Sequence, residues 1–234
     1  NSRKVSSLDK ELSNISGLEP ETFKGKISQV EHHRSHLDSA FFASPVDEAA
    51  LLSIDGSGDF TTTMIGIGKG TNIKVLDSVD FPHSIGIFYT AMTQLLGFPY
   101  YGDEYKVMGM APYGEPKYLD KLNDVVHLTK DGLFKLNLKY FRSATQGVIS
   151  YGEDNIPIVE SMYSNEMVKL FGEPRKKDEE LTQHHKDIAA SVQRITEKVI
   201  FHILENLQKR TGLENVCIAG GVAQNSVANG KIIS

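Results

Sequence analysis

The stretch Ala49-Ala50-Leu51-Leu52-Ser53-Ile54-Asp55-Gly56-Ser57-Gly58-Asp59 decides how the rest of the chain is read. Its first six residues are almost continuously apolar, the pattern of a strand buried on both faces. The five that follow combine acid and glycine and read as a turn, because glycine reaches positive φ without steric cost. Beyond them Thr61-Thr62-Thr63-Met64-Ile65-Gly66-Ile67 is rich in β-branched types and reads as a second strand. Lys69-Gly70-Thr71-Asn72 is a second turn, and Ile73–Phe81 alternates roughly as a third strand. Three strands joined by glycine turns predict an antiparallel meander.

On either side the period changes. Upstream, Lys26–Val30 reads as a short strand. His32–Ala43 has helical spacing through His36, Ala40 and Ala43, and Ser44-Pro45 ends it, since Pro45 disfavours α conformation at Ser44. Residues 1–26 are polar, with Val5, Leu8, Leu12 and Ile15 spaced as one short amphipathic helix that Gly17 and Pro20 would end. Downstream, Ile85, Phe88, Tyr89, Met92, Leu95 and Leu96 follow a helical stripe that stops at Gly97. A short helix begins near Glu104, and Tyr118–Val126 is another. Residues 127–180 read mainly as loop, with small strands near Leu133–Leu138, as in a specificity insertion or plain surface elaboration. Thr182–Arg210 carries one apolar stripe through Ile188, Val192, Ile195, Val199, Ile203 and Leu207. Asn215–Ala219 is a short strand, followed by Gly220-Gly221 and a helical start at Ala223–Asn229. This order predicts an α/β domain, a mixed sheet flanked by helices, over residues 27–234, preceded by a helix and linker over 1–26.

Composition bounds the function. With 234 residues, 40% hydrophobic and 24% charged, the chain is long and apolar enough to fold without disulfides, which excludes global disorder. A net charge of -5 argues against nucleic acid as the partner. The single Cys217 cannot pair internally, which favours a reducing, cytoplasmic setting. No apolar run approaches the roughly 20 residues of a membrane span. The opening Asn1-Ser2-Arg3-Lys4 has neither an initiator Met nor a signal-like core, as expected of an internal fragment.

Four segments could carry chemistry. In Glu31-His32-His33-Arg34-Ser35-His36, His32 and His36 lie one helical turn apart, so their imidazoles can meet one metal. The glutamate that follows the first histidine in zinc proteases is replaced by His33, so the general base of that chemistry is missing. Iron or another divalent metal suits two imidazoles and a carboxylate; the alternative is a pair of histidines stacked on a helix. In Asp55–Asp59, Asp55 at a strand end can hold a metal or order water, and Gly56 and Gly58 admit a phosphate to the backbone; the alternative is a plain hairpin turn. Gly220-Gly221 between strand and helix suits an anion or nucleotide, with the Asn225 amide aimed at it, or else marks close packing. Glu104 and Lys106 stand in the glycine-rich run Tyr101–Gly109, as ligand contacts or as a solvated loop.

Together these segments resemble the nodulation-protein U and cephalosporin-type O-carbamoyltransferase family. The likeness runs through His32-His33-Arg34-Ser35-His36, Ser39–Pro45, Ile54–Asp59, Ser84–Tyr89, Leu96-Gly97-Phe98, Glu104–Gly114, Asp187–Gln193 and Ala219–Lys231. It implies ribonuclease-H-like lobes of the acetate kinase, sugar kinase and actin superfamily, here truncated. It implies an enzyme that transfers a carbamoyl group to the hydroxyl of a small-molecule acceptor. The donor would be carbamoyl adenylate, made from carbamoyl phosphate and ATP by a second domain. By the family pattern His32 and His36 correspond to metal-binding residues. Asp55, Gly56, Gly58, Gly220, Gly221 and Asn225 correspond to phosphate or nucleotide contacts, and Asp59, Glu104 and Lys106 are expected to join them. Asp59 stands where the family usually has Glu. The family's first phosphate loop would precede residue 1, and a third metal ligand, an aspartate, would follow Ser234, so this stretch alone is expected to be inactive.

Related readings remain at this point. One is an enzyme transferring threonylcarbamoyl to tRNA, against which the Glu104–Gly114 block and the acidic balance argue. Others are a carbamoyl-handling hydrogenase maturation factor and a non-catalytic nucleotide-binding module. A homodimer is left open, and the acceptor is not legible.

Overall fold

The computed structural model describes residues 8–19, 28–100, 102–146, 149–151 and 157–232. The chain divides into two compact units, Asn1–Val30 and Glu31–Ser234. In the first, α1 (Leu8–Ser16) ends where Gly17 takes a φ of 68° and its N–H returns to the Ser13 carbonyl at 2.8 Å. Of the strand expected over Lys26–Val30, residues 28–30 are described and have no strand pairing; the rest lies outside the described residues.

The second unit is built on a four-stranded mixed sheet. The three meander strands are β1 (Glu48–Gly58), β2 (Thr61–Lys69) and β3 (Asn72–Asp80), paired antiparallel in sequence order. The fourth strand, β8 (Val216–Ala219), lies parallel to β1, giving the order β3-β2-β1-β8. The apolar run of β1 is explained by its two faces. Ala49 and Leu51 join Leu37 and Phe41 of α2 (His32–Phe42) in one small core with Met64 and Cys217. Ala50, Leu52 and Ile54 point the other way, into the main core with α3 (Ile85–Leu95) and with α7 (Gln183–Thr211). Ser84 caps α3 by accepting from the Ile87 N–H at 3.1 Å, and Thr182 caps α7. Gly212, at φ 69°, closes α7 in the left-handed region.

Between α3 and α7 the chain forms α4 (Glu104–Met110), α5 (Leu119–Val125), the β4 (Val126–Leu128) and β5 (Phe134–Leu136) ribbon, the β6 (Ile149–Tyr151) and β7 (Pro157–Val159) ribbon, and α6 (Asn165–Phe171). The expectation of surface elaboration for residues 127–180 is corrected in part here. Leu133, Phe134, Leu136, Tyr140, Phe141, Met167 and Phe171 are all buried in the main core. The segment is a wall of that core, assembled from elements too short to show a period. After β8 a single 3-10 turn, Val222–Gln224, leads to α8 (Ser226–Ile232). No helix among the described residues is long and apolar enough to cross a membrane.

The one local misreading near the sheet concerns Asp55–Asp59. The turn expected there is instead a continuation of β1 with an irregular register. Ile54 faces Thr63 and Gly58 faces Thr61, so Asp55, Gly56 and Ser57 together span a single partner residue. The chain reverses one step later, at Asp59, whose φ of 53° makes it the one non-glycine residue at positive φ among the described residues. Propensity suggested the turn; packing keeps the strand. The Ser84 hydroxyl donates to the Gly56 carbonyl, and Gly86 lies so close that a Cβ there would stand 2.7 Å from the Gly56 Cα.

Candidate functional site

The site is assembled around that displaced strand end. α2 begins beside it, with Glu31 as N-cap accepting from the His33 N–H at 3.0 Å and the Arg34 N–H at 2.6 Å. These acceptors meet donors that have no intrahelical partner. The next turn brings His36 beneath His32. Their Nε2 atoms are 3.1 Å apart and their rings stand nearly perpendicular, at 83°. Asp55 Oδ2 completes the group, 3.1 Å from His36 Nε2 and 3.5 Å from His32 Nε2. The ligand atoms of His32, His36 and Asp55 thus all lie within 4.8 Å of one another. The His33 ring, 5.4 Å from that of His32 and 6.0 Å from that of His36, turns to β1 instead of Asp55. It is fully buried, with Nδ1 2.7 Å from Ser53 Oγ, and burial lowers its pKa.

Asp55 is tightly held. Burial works against its charge, but hydrogen bonds from the backbone N–H groups of Gly56 and Gly221 and from the two imidazoles keep its carboxyl below the usual carboxylate range. The Gly56 N–H reaches Oδ1 at 2.7 Å. A Cβ on Gly221 would stand 2.7 Å from that same Oδ1, so only glycine lets the two segments close on each other. Both glycine N–H groups therefore serve the carboxylate.

From Asp55 a cleft of about 450 Å³ opens toward α4. Gly56, Gly86 and Gly221 make its floor, and Tyr89, Thr90, Glu104, Tyr105, Met108 and Gln224 its walls. Thr90 Oγ1 donates to Glu104 Oε1 at 2.6 Å, orienting that carboxylate. Asp55 and Glu104 are the charged residues in the described lining. The two glycine segments, far apart in sequence, are adjacent because β8 runs parallel to β1 and both end at the same edge.

The structure thus brings His32, His36, Asp55, Gly56, Glu104, Gly221 and Asn225 to one place, and puts the remaining expected residues elsewhere. Gly58 and Asp59 sit under the His32 end of α2; Asp59 Oδ2 accepts from the His32 N–H at 3.1 Å. Lys106 Nζ lies 2.6 Å from Asp103 Oδ1, beside the Phe98 and Tyr105 rings, outside the cleft lining. Gly220, at φ 106°, packs against the Ile54 backbone. Asn225 lines the cleft, but its amide is engaged within the protein. Oδ1 accepts from Gln193 Nε2 and from the Ala228 N–H, both at 3.0 Å, and Nδ2 donates to Gln193 Oε1 at 2.9 Å. Tyr89 reads in the sequence as part of the apolar stripe of α3 and of the family likeness, with no role of its own, and Thr90 stands beside that stripe without a motif to mark it. Gln193 falls within the Asp187–Gln193 stretch of the likeness but is given no role there, although a glutamine beside the stripe of α7 is the kind of polar residue that needs a buried partner.

A family model described as carbamoyltransferase N-terminus matches residues 8–234. The uncharacterized protein sll1178 of Synechocystis is 46% identical over 87% of this chain and 31% of its own length. Nodulation protein NolNO of Sinorhizobium fredii is 34% identical over 89% of this chain and 27% of its own. The crystal structure of T. kodakarensis HypF is 16% identical, covering 97% of this chain and 34% of that one at a TM-score of 0.39, too low to settle fold or function. The chain spans about a third of the length of the curated relatives it matches. With nearly every residue inside the family match, the chain belongs to the carbamoyltransferase N-terminus family.

Proposed function

We propose that the whole protein transfers a carbamoyl group from carbamoyl adenylate to the hydroxyl of a small-molecule acceptor, and that this chain supplies part of the domain where transfer occurs. The adenylate would be formed from carbamoyl phosphate and ATP. The observation that carries the reading is the convergence of His32 and His36 on Asp55, a residue that also lines the glycine-rich cleft. Two imidazole nitrogens and one carboxylate oxygen are a donor set suited to iron or another divalent metal. Without a cation or a proton between them, the two Nε2 atoms would face each other with at least one lone pair unpartnered.

A metal bound there supplies Lewis acidity to a carbonyl or phosphoryl oxygen. The chain's own residues do the rest. Gly56, Gly86 and Gly221 let a ligand approach the floor closely, because none presents a side chain. The N–H groups of Gly56 and Gly221 hold Asp55, so a phosphate here leans on the cation for charge compensation. Glu104, fixed by Thr90, faces the cleft from α4 and is placed to accept a hydrogen bond from a hydroxyl or amide of the ligand. In the reaction, the acceptor oxygen bonds to the carbamoyl carbon as its hydroxyl proton is released to solvent, the bond from that carbon to the adenylate oxygen breaks, and AMP departs with that oxygen. The sheet order β3-β2-β1-β8, with β8 parallel to β1, supports a ribonuclease-H-like lobe of the acetate kinase, sugar kinase and actin type.

The test uses the full-length protein with ATP and carbamoyl phosphate. Pyrophosphate release that requires both substrates, followed by AMP release when a hydroxyl acceptor is added, is the expected result. Pyrophosphate release indifferent to carbamoyl phosphate overturns the reading.

A further inference from the structure

We propose that Gly58 and Asp59 are positioning residues for His32, holding its ring and its backbone over the end of β1 at a set distance from Asp55. The inference rests on the metal reading above and concerns how the chain holds one of its own ligands. His32 is the first residue of α2, and the N–H groups of a first helical turn have no acceptor within the helix. Glu31 takes those of His33 and Arg34. That of His32 goes to Asp59 Oδ2, across 27 positions of sequence. A frayed first turn would carry a metal ligand with it, so this one contact pins the ligand as well as the helix.

The ring is held from below. A Cβ on Gly58 would overlap the Cγ and Cδ2 atoms of His32 and lie 2.6 Å from its Cβ. The imidazole therefore rests on bare backbone, and any side chain at position 58 must push it away. Asp59 itself is at φ 53°, a conformation that glycine adopts more easily. What aspartate brings to that position is the carboxylate. Gly58 and Asp59 leave β1 three and four residues after Asp55, so one strand end carries the third ligand and sets the first.

The test titrates the metal-stripped full-length protein with Co²⁺, following its visible absorption, and records thermal melting alongside. Asp59→Gly relaxes the backbone while removing the acceptor, so folding is not threatened. It should melt like the parent yet bind Co²⁺ about 10-fold or more weakly, the scale of losses when a group orienting a metal ligand is removed. Asp59→Asn keeps an acceptor oxygen and should recover most of that affinity. Gly58→Ala should alter the Co²⁺ spectrum. His36→Ala, which removes a ligand, is the reference. If His36→Ala loses Co²⁺ while Asp59→Gly and Gly58→Ala keep parental affinity and spectrum, the positioning role is wrong and the metal site stands. If His36→Ala also binds like the parent, both fall.

Discussion

Asn225→Ala separates two meanings of a residue at the cleft. If its amide were held for a ligand, truncation would reduce affinity and leave stability nearly untouched. The structure commits that amide to the protein. Its Oδ1 caps α8 through the Ala228 N–H, and two further bonds join it to Gln193, itself 3% exposed. Loss of an N-cap costs about 1 kcal/mol. Each neutral amide bond contributes about 0.5–1.5 kcal/mol. Gln193 keeps Tyr89 and Glu197 as partners, so it is not left wholly unsatisfied. The sum is a loss of about 2–4 kcal/mol, with a coupling to Gln193→Ala of about 1–2 kcal/mol in a double-mutant cycle. Equilibrium urea unfolding measures both, and hydrogen exchange should show the first turn of α8 opening earlier. A loss below about 0.5 kcal/mol together with weakened nucleotide binding would refute the reasoning and return the amide to the ligand.

Other consequences follow from single contacts. Gly221→Val would drive a branched side chain onto Asp55 Oδ1, so metal and nucleotide binding should both fall, by calorimetric titration, with a smaller change in melting temperature. Asp187 accepts from the Glu115 N–H, Lys117 Nζ and Gln183 Nε2, and these bonds, the Glu115 N–H foremost, lower its pKa to about 2. Its contribution is complete above the ordinary carboxylate pKa and disappears as pH falls through about 2, so acid unfolding of Asp187→Asn should lose that part of the profile. His83 Nδ1 accepts from the Leu136 N–H at 3.1 Å, and burial first, then Lys135, lowers its pKa. The unfolded chain binds that proton more readily, so stability is full above the ordinary imidazole value of 6.5 and declines as pH drops below it. His83→Gln should flatten that slope in unfolding followed by circular dichroism.

The meander and the long helix were legible because each has a period sustained by a large core. The strand of Ala49–Ile54 reads as buried on both faces, and α2 on one side with α3 and α7 on the other make it so. What failed was local. Asp55–Gly58 has the composition of a turn, and the groups that keep it in the sheet, Ser84 and Gly86, lie about thirty residues on and act through tertiary contact. In residues 127–180 the small strand near Leu133–Leu138 is legible and the burial of the segment is not. Strands of three residues cannot display alternation, and Phe134 and Phe171 are buried in a core most of whose members lie far from them in sequence.

The site divides along the same line. His32 and His36 are legible since one helical turn relates them and nothing else need be known. Asp55 is legible as an acid at a strand end, but its convergence with the histidines depends on where α2 docks. That docking is governed by β1 itself. Leu37 and Phe41 pack α2 against Ala49 and Leu51, the buried His33 reaches Ser53, and Asp59 takes the His32 N–H. Each contact falls further along β1 as the helix is traced back toward its start. Helix and strand are thus clamped along their shared length, and the clamp ends where the two histidines meet the carboxylate. A residue such as Asp59, read by itself as one more acid near a glycine, takes its meaning from being the last contact in that series. The odd residues of β1, through Ala49, Leu51 and Ser53 to Asp55, carry one side of a core strand to the carboxylate that meets the two histidines without any change of element.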